Sequence, residues 1–502
     1  MLDYMFKRPM LLCGIGCCFM SITAFYSKTA VFLSAFIVLI LLAIMFILKI
    51  DVRIIFAAVL IFIFCIICLL THNRIASLKE NYGTNQRAKL TLISVTYKSD
   101  RYYVAEACVE KSDRLPKGTK ITVFYEPIRI RSGQKFIADI KFGTSDGEYK
   151  ADNYSKGIFL TGNMKNITFT QEVDDVLLGF AEKTRGYIKE FFMDNMDYDA
   201  AATLCALIFG EREYFTDRFY DNTRSAGVSH VMVVSGMHLA ILVSFLVMIL
   251  EKLYYNRFLK AGLVVATVAL LTVLCGFTMS VLRAGITYLL MALGIVLDRK
   301  GAAENTLGGA VVLILFFSPF AIFSVALQLS MLSTFGILVV ALPIIKRLEE
   351  KPFNRLLKML ASSVIVSLSA LFFTLPTVLL VFGYISTVSV ISNLLISSAV
   401  TFALYIAVSA LAVNLFFPFV AKFMLIFAEV ITKYINYIIN FMGELPFAVV
   451  NIPKLFGYVA VLAIFLLLML LLACKKRSNM LKLKEINEKI VAEGGGKLKW
   501  HR

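Results

Sequence analysis

Long apolar runs, broken by short charged loops, dominate the hydrophobic pattern of this 502-residue chain. Three runs open the chain at residues 9–25, 30–50 and 53–71, and a second series fills residues 201–474. A run such as 30–50 is long enough to cross roughly 30 Å of hydrocarbon as a helix. The first run has no small-residue cleavage site, which predicts a retained span rather than a signal peptide. The pattern therefore predicts a polytopic α-helical membrane protein with about 10–12 spans, some of them broken or re-entrant.

A polar interval separates the two apolar series. Between residues 72 and 171, β-branched and aromatic residues alternate with polar ones in five short segments, which turn residues such as "PKG" and "SDG" separate. Five short strands in so small an interval suit a closed barrel. We therefore predict an OB-fold-like five-stranded β-barrel domain at 72–171, inserted after an N-terminal transmembrane block of three spans at 1–71. Three further segments are predicted: an amphipathic interfacial helix at 172–200, a second transmembrane domain at 201–474 and a basic tail at 475–502.

The positions of lysine and arginine predict the orientation of the chain in the membrane. Lys7 and Arg8 precede the first span, and Lys475 and Lys476 follow the last one. Because such residues are enriched in cytoplasmic loops, both termini are predicted to be cytoplasmic and the barrel to be extracellular. The number of spans between residues 384 and 454 stays open, because several runs there are short or broken.

Several apolar runs carry polar side chains where a plain span would carry none. The stretch "GVSHVMVVSGMHLAIL" (227–242) holds His230, Ser235 and His238 on one stripe of a helix, with Gly236 beside them. An unpartnered polar group facing lipid costs several kcal/mol, so this stripe is expected to face protein or water. Broken, polar helices are typical of segments that line a water-filled path, which predicts a polar conduit. The other candidates on this path are Arg212 (in 208–227), Arg283 (in 278–290), Gln328 (in 318–336) and Asn393 (in 382–398).

Charge suggests what the barrel binds. The chain has a net charge of +17, and residues 72–171 contain 17 Lys plus Arg against 10 Asp plus Glu. Such a surface suits a polyanion such as single-stranded DNA, whose bases also stack on aromatic rings. It suits anionic membrane lipid as well, so charge alone does not choose between them. The candidate DNA contacts on the barrel surface are Lys98, Arg101, Lys120, Arg129 and Arg131.

Five pieces of the second apolar series occur in the order in which they occur in a known family. The chain resembles the ComEC-type competence proteins, channels of the bacterial cytoplasmic membrane proposed to bring single-stranded DNA into transformable cells. The piece "DNYSKGIFLTG" (152–162) also resembles the end of the family's extracellular barrel domain. The five pieces are "LIFGERE" (207–213), "AGVSHVMVVSGMHLAIL" (226–242), "VLRAGITYLL" (281–290), "SPFAIFSVALQLSMLSTFGIL" (318–338) and "TLPTVLLVFGYISTVSVISNLL" (374–395).

The resemblance implies a channel that conducts single-stranded DNA into the cytoplasm during natural transformation. In that picture Arg212 and Arg283 attract phosphate, and Gln328 and Asn393 form hydrogen bonds at helix breaks. The residues that shape the path are His230, Ser235, Gly236 and His238. The chain has no GxxxxGK[ST] phosphate loop, so a separate cytoplasmic motor is implied, together with an extracellular DNA receptor.

Two features depart from the family pattern. Many members continue into a metallo-β-lactamase-like domain, whose chemistry needs a cluster such as HxHxDH to hold metal. After His238 the only histidine in the sequence is His501, so we expect no metal, no cofactor and no catalytic residues, hence no enzyme. A nuclease on a separate polypeptide is one alternative. Some members also pair two cysteines in the barrel domain, whereas Cys108 is alone in this interval.

Three other functions are compatible with parts of the pattern. A broken-helix transporter of a small solute or ion would explain the polar interruptions, although not the basic barrel. An intramembrane hydrolase would use His230, Ser235 and His238, but "VVSG" lacks the first glycine of a GxSxG elbow. A member of the family that has lost DNA uptake would keep the same fold. The sequence does not predict an oligomeric state.

Overall fold

The apolar runs are helices in the computed structural model, which describes residues 8–48, 51–98, 102–128, 130, 133–145, 149–170, 176–211, 214–232, 236–252, 256–297 and 302–463. Seven helical segments in this part of the chain are long and apolar enough to cross a membrane, and four shorter apolar helices accompany them. The predicted polytopic helical membrane protein is therefore confirmed. The helices are α1 (Pro9–Tyr26), α2 (Lys28–Ile47), α3 (Val52–Lys79), α4 (Lys150–Ser155), α5 (Val176–Met193), α6 (Tyr198–Phe209), α7 (Asp217–Ser225), α8 (Gly236–Lys252), α9 (Arg257–Leu274), α10 (Met279–Val296), α11 (Ala303–Phe317), α12 (Val325–Gly336), α13 (Leu342–Glu349), α14 (Arg355–Phe382), α15 (Ser389–Asn414) and α16 (Pro418–Gly443).

The polar interval forms a closed five-stranded barrel, as predicted. The strands follow the order β1-β2-β3-β5-β4 around the barrel, and all neighbours are antiparallel except β3 and β5. Alternation along the strands places every second side chain inside, for example Phe136, Ala138 and Ile140. Helix α3 continues to Lys79, past the predicted boundary at residue 71, because its last turns bury Ile75 and Leu78. The strands are β1 (Asn85–Lys98), β2 (Tyr103–Lys111), β3 (Lys120–Tyr125), β4 (Lys135–Thr144) and β5 (Leu160–Phe169).

The barrel docks on the helical region through aromatic rings. The centroid of the Tyr154 ring, on α4, lies 5.7 Å from that of Phe25 at the end of α1. It lies 5.6 Å from that of Phe320, which follows α11. Ser318 Oγ donates a hydrogen bond to a carbonyl oxygen of α4 at 3.0 Å. The barrel and the ends of α1 and α11 therefore share one hydrophobic core.

Helix α1 crosses α11 at two glycines. A Cβ on Gly308 would lie 2.4 Å from the carbonyl oxygen of Met10, and Gly14 faces Gly308 from α1. Lipid supplies no hydrophobic drive between helices, so close backbone approach of this kind stabilises their association by van der Waals contact. Arg8 and Glu304 form an ion pair of 3.1 Å at the same crossing. The N-terminal block is thus joined to the second helical series.

Two irregular turns interrupt the stretch from α11 to α13. A 3-10 turn spans Ala321–Phe323, and a π-helical turn spans Ile337–Ala341 just before Pro343. Proline has no N–H to donate, and its ring would clash with a carbonyl of the preceding turn in a regular α-helix. The wider π-helical turn avoids this clash. Gly336 lies against α14, where a Cβ would be 2.6 Å from a ring atom of Phe373.

The interval between residues 384 and 454 contains one helical hairpin. Helices α15 and α16 pack against each other, and short strands β6 (Tyr384–Ser386) and β7 (Val449–Asn451) pair antiparallel beyond their ends. This pairing returns the chain to the level at which α15 begins. The structure thus places two antiparallel helices where the hydrophobic pattern left the number of spans open.

Candidate functional site

The Arg283 guanidinium brings three of the interrupted segments together inside the helical region. Arg283 on α10 is buried, and its Nε donates to Ser330 Oγ on α12 at 2.7 Å. Ser280, one turn earlier on α10, donates to the same Ser330 oxygen at 3.3 Å. A Cβ on Gly236, the first residue of α8, would lie 2.7 Å from Nη2 of Arg283. The guanidinium therefore packs directly on the backbone where α8 begins.

The fourth interrupted segment contacts the turn that precedes α8. Gly227 has a φ of +72°, a backbone conformation that glycine adopts without steric cost. A Cβ at this position would lie 2.5 Å from that of Ser389, and Ser386 Oγ donates to the carbonyl oxygen of Ser225 at 2.7 Å. The opening stretch 227–242 therefore lies between α10 and α12 on one side and the start of α15 on the other.

The two histidines of the opening stretch have different surroundings. His238 is buried on α8 beside a cavity of about 10 Å³, which it shares with Leu271 and Cys275. A cavity of that size holds roughly one water molecule. His230 is exposed in the turn before α8. The space beside His238 is thus closed to anything larger than water in this conformation.

The remaining candidates of the predicted path are spread more widely. Gln328 Nε2 donates to the carbonyl oxygen of Ile322 at 2.9 Å and so bridges the 3-10 turn to α12. Asn393 lies one turn into α15 rather than at a break, and its carbonyl oxygen accepts a hydrogen bond from Ser397. Arg212 and Ser235 lie outside the described residues.

The basic surface of the barrel is described only in part. Lys120 on β3 is exposed. Lys98 ends β1, but its side chain, like the whole of Arg101, Arg129 and Arg131, lies outside the described part of the chain.

Another lysine of the barrel region is already paired. Lys156 Nζ lies 3.0 Å from Glu106 and 3.0 Å from Asp152. Burial opposes the charge of this amine, but the two carboxylates outweigh it and raise the pKa of Lys156 above its usual value. Its charge is therefore neutralised within the barrel region, and Lys156 adds little to a DNA-binding surface.

Sequence reasoning missed a second polar cluster, which lies between α6, α7 and α16. Asn222 Nδ2 donates to Asn440 Oδ1 at 2.9 Å, and Arg218 Nη2 donates to Glu444 Oε1 at 2.8 Å. The cluster borders a cavity of about 260 Å³, called here the α16 pocket. The available signal is the spacing of polar residues on α16, which places them on one side of the helix. These residues are Glu429, Lys433, Asn436, Asn440 and Glu444. The α16 pocket is lined by Asp199, Phe215, Arg218, Phe219, Asn440 and Glu444, among others.

The described residues offer no arrangement of three or more His, Cys, Asp or Glu side chains that could hold a metal ion.

Comparisons with known proteins point to one family. The family model described as "Competence protein" matches residues 207–478, which is more than half of the chain and includes the Arg283 cluster. The ComE operon protein 3 of Bacillus subtilis (strain 168) is 26% identical over 297 residues, which are 59% of this chain and 37% of that protein. The chain thus matches well under half the length of that relative, and no solved structure matches it significantly. The chain belongs to the competence protein family, as the ordered pieces of its sequence predicted.

Proposed function

We propose that the chain is a channel of the bacterial cytoplasmic membrane that conducts single-stranded DNA into the cytoplasm during natural transformation. The observation that carries the proposal is the Arg283 cluster. An arginine inside a membrane helix costs up to about 2.5–3.5 kcal/mol, and its hydrogen bond to Ser330 returns about 1.5–3 kcal/mol. The two magnitudes are similar, so Arg283 contributes little net stability, whereas a buried cation beside a turn of the backbone is suited to attract phosphate.

The described conformation is that of a closed channel at the level of His238. The adjacent cavity holds roughly one water molecule, so a DNA strand passes only after the helices around it separate. Gly236 begins α8 at this point, and the π-helical turn Ile337–Ala341 interrupts the helix that carries Ser330. Such irregular turns mark hinges in many helices. We assign the opening movement to these two places.

The two ends of α1 and the lysine and arginine positions support the orientation in this proposal. Arg8 pairs with Glu304 at the start of this helix, while Phe25 contacts the barrel at its other end. At 1.5 Å per residue, 18 residues separate these ends by about 27 Å, close to the thickness of the hydrocarbon core. Lysine and arginine near the termini favour a cytoplasmic location for both, which leaves the barrel outside.

The barrel acts in this proposal as the first contact for incoming DNA, through exposed cations such as Lys120 and exposed aromatic residues such as Tyr102. In this proposal the described helices and barrel conduct and bind DNA and catalyse no reaction. The chain works with a separate cytoplasmic motor and an extracellular DNA receptor, which the family resemblance implies. Anionic lipid is a second partner of its basic loops.

Deletion of the gene, followed by measurement of labelled DNA in the cytoplasm, tests the proposal. We expect DNA to remain outside the membrane in the deletion strain and to enter again when the full chain is restored. Unchanged entry of DNA after deletion would overturn the proposal and favour a carrier of small solutes or a family member that has lost DNA uptake.

A further inference from the structure

The α16 pocket combines aromatic rings with hydrogen-bonding groups. Phe215 and Phe219 are half-buried at its edge, with ring centroids 4.8 Å apart and planes at 80°. The cavity of about 260 Å³ opens to the surface, so the exposed parts of these rings are available to a ligand. A planar group can therefore enter the pocket and lie against an apolar wall.

The polar side chains of the pocket are only partly used by the fold. Oε1 of Glu444 accepts hydrogen bonds from Arg218 and Asn222, while Oε2 accepts none from the described residues. Asp199 is exposed, and it forms no ion pair with the residues that the structure describes. Asn440 accepts a hydrogen bond from Asn222 through Oδ1, which leaves its amide nitrogen able to donate. The pocket thus offers two carboxylate acceptors and an amide donor.

Carboxylates are unexpected next to DNA, because they repel phosphate. They are good acceptors, however, for the edge of a nucleobase: all four bases carry at least one N–H on the edge that pairs in a duplex. That edge is accessible in a single strand and hidden in a double strand. Cations lie at the rim instead, where phosphates would pass. Arg218 lines the pocket and is largely exposed, with Nη2 shared with Glu444, and Lys189 donates to the hydroxyl of Tyr214, another lining residue.

We propose that the α16 pocket binds one unstacked nucleobase of the incoming single strand, with the base edge on Asp199 and Glu444 and the base plane against Phe219. This inference rests on the proposed function and names the place where the channel distinguishes a single strand from a duplex. Stacking on one aromatic side chain makes the contact tolerant of base identity, as a channel for any sequence requires.

The test compares two oligonucleotides that carry the same number of phosphates. Fluorescence anisotropy measures binding of the full chain in detergent to a single strand and to an abasic strand of equal length. We expect about tenfold tighter binding of the strand that has bases. Phe219→Leu and Asp199→Ala should each reduce this preference to less than about threefold.

Two variants keep the test independent of folding. Asp199→Ala retains the backbone oxygen to which Asn436 donates, and Phe423→Ala removes an exposed ring of α16 that lies outside the pocket. We expect Phe423→Ala to keep the full preference. Equal affinity of the wild-type chain for both strands, or an unchanged preference in Phe219→Leu and Asp199→Ala, would overturn the inference. Binding of oligolysine that both variants weaken, without a preference for bases, would assign the pocket to a cationic partner and overturn it as well.

The outcome is separable from that of the deletion experiment. A chain that is required for DNA entry but shows no preference for bases refutes the nucleobase site alone. If both pocket variants reduce the preference for bases but deletion of the gene leaves DNA entry unchanged, the channel proposal is refuted and the nucleobase site stands.

Discussion

Replacement of Arg283 by methionine separates a structural role of the guanidinium from a functional one. Methionine is unbranched and flexible, so it fills the same space between α8 and α12 without charge. The variant loses the 2.7 Å hydrogen bond from Arg283 Nε to Ser330. It also loses the charge that made membrane insertion costly.

The two effects are similar in size. A hydrogen bond from a charged group contributes about 1.5–3 kcal/mol, and insertion of an arginine costs up to about 2.5–3.5 kcal/mol. We therefore expect Arg283→Met to be as stable as the wild type or slightly more stable. Ser330→Ala, in contrast, leaves the guanidinium buried without this acceptor and should lower stability by about 1–3 kcal/mol.

DNA uptake should respond in the opposite way. Loss of one charge-assisted contact to phosphate, worth about 1.5–3 kcal/mol, predicts a fall of about 10- to 100-fold in transformation frequency for Arg283→Met. Thermal unfolding in detergent and quantitative immunoblotting of membranes provide the stability and amount of each variant. Arg347→Met, at an exposed arginine near the end of α13, is the matched control and should transform normally.

Two results would refute this reasoning. The first is normal transformation by Arg283→Met at wild-type amounts of protein, which would remove the arginine from the path. The second is a melting temperature that falls in parallel with transformation, which would make Arg283 a structural residue.

Three further predictions concern the fold. Gly308→Ala places a Cβ 2.4 Å from a backbone oxygen and should lower the free energy of unfolding by about 1–3 kcal/mol, which labelling of buried thiols at a lower temperature would show. Gly262→Ala, whose added Cβ has no atom of another element within 4 Å, is the control and should melt like the wild type. Equal melting of the two variants would contradict the prediction. Burial, with the nearby Tyr103, raises the pKa of Tyr125 to about 12, above the value of about 10 in the unfolded chain. The stability that comes from keeping this hydroxyl protonated in the fold is therefore present below pH 10 and lost as the pH rises through 12. Tyr125→Phe, which removes a buried hydroxyl without a partner among the described residues, should reduce that loss, as followed by circular dichroism, and identical profiles would argue against it. Tyr154→Ala should release the barrel to limited proteolysis, unlike Tyr149→Ala at an exposed ring; equal resistance would show that docking does not depend on Tyr154.

The barrel could be predicted almost completely, because strand alternation is a local signal. The segment at residues 135–142 already shows the period of two that β4 adopts, with Phe136 and Ile140 inside. The spans before the barrel were equally clear, since an apolar run needs no partner to be recognised. Where runs are short and broken, as between residues 384 and 454, the pairing of β6 with β7 decides the topology, and that pairing is not visible in local composition.

The candidate site could be predicted only in part. Arg283 stands out because a charge inside an apolar run is rare, and Gly236 because it interrupts one. Ser330 is visible as a polar residue in a broken run, but its contact with Arg283 is not, since serine in a helix usually bonds to its own backbone. The polar cluster beside the α16 pocket is formed by a hydrogen bond between Asn222 and Asn440, which are 218 positions apart in the chain. No local sequence pattern predicts a contact over that separation.

The docking of the barrel has a consequence for biosynthesis. Tyr154 contacts Phe320, which the ribosome adds about 170 residues later, or about 10–30 s later at 5–20 residues per second. During that interval Phe25 is already available to Tyr154 in a folded barrel, whereas the side of the ring that faces Phe320 stays uncovered. Any folding factor that serves this chain has those seconds in which to shield that side.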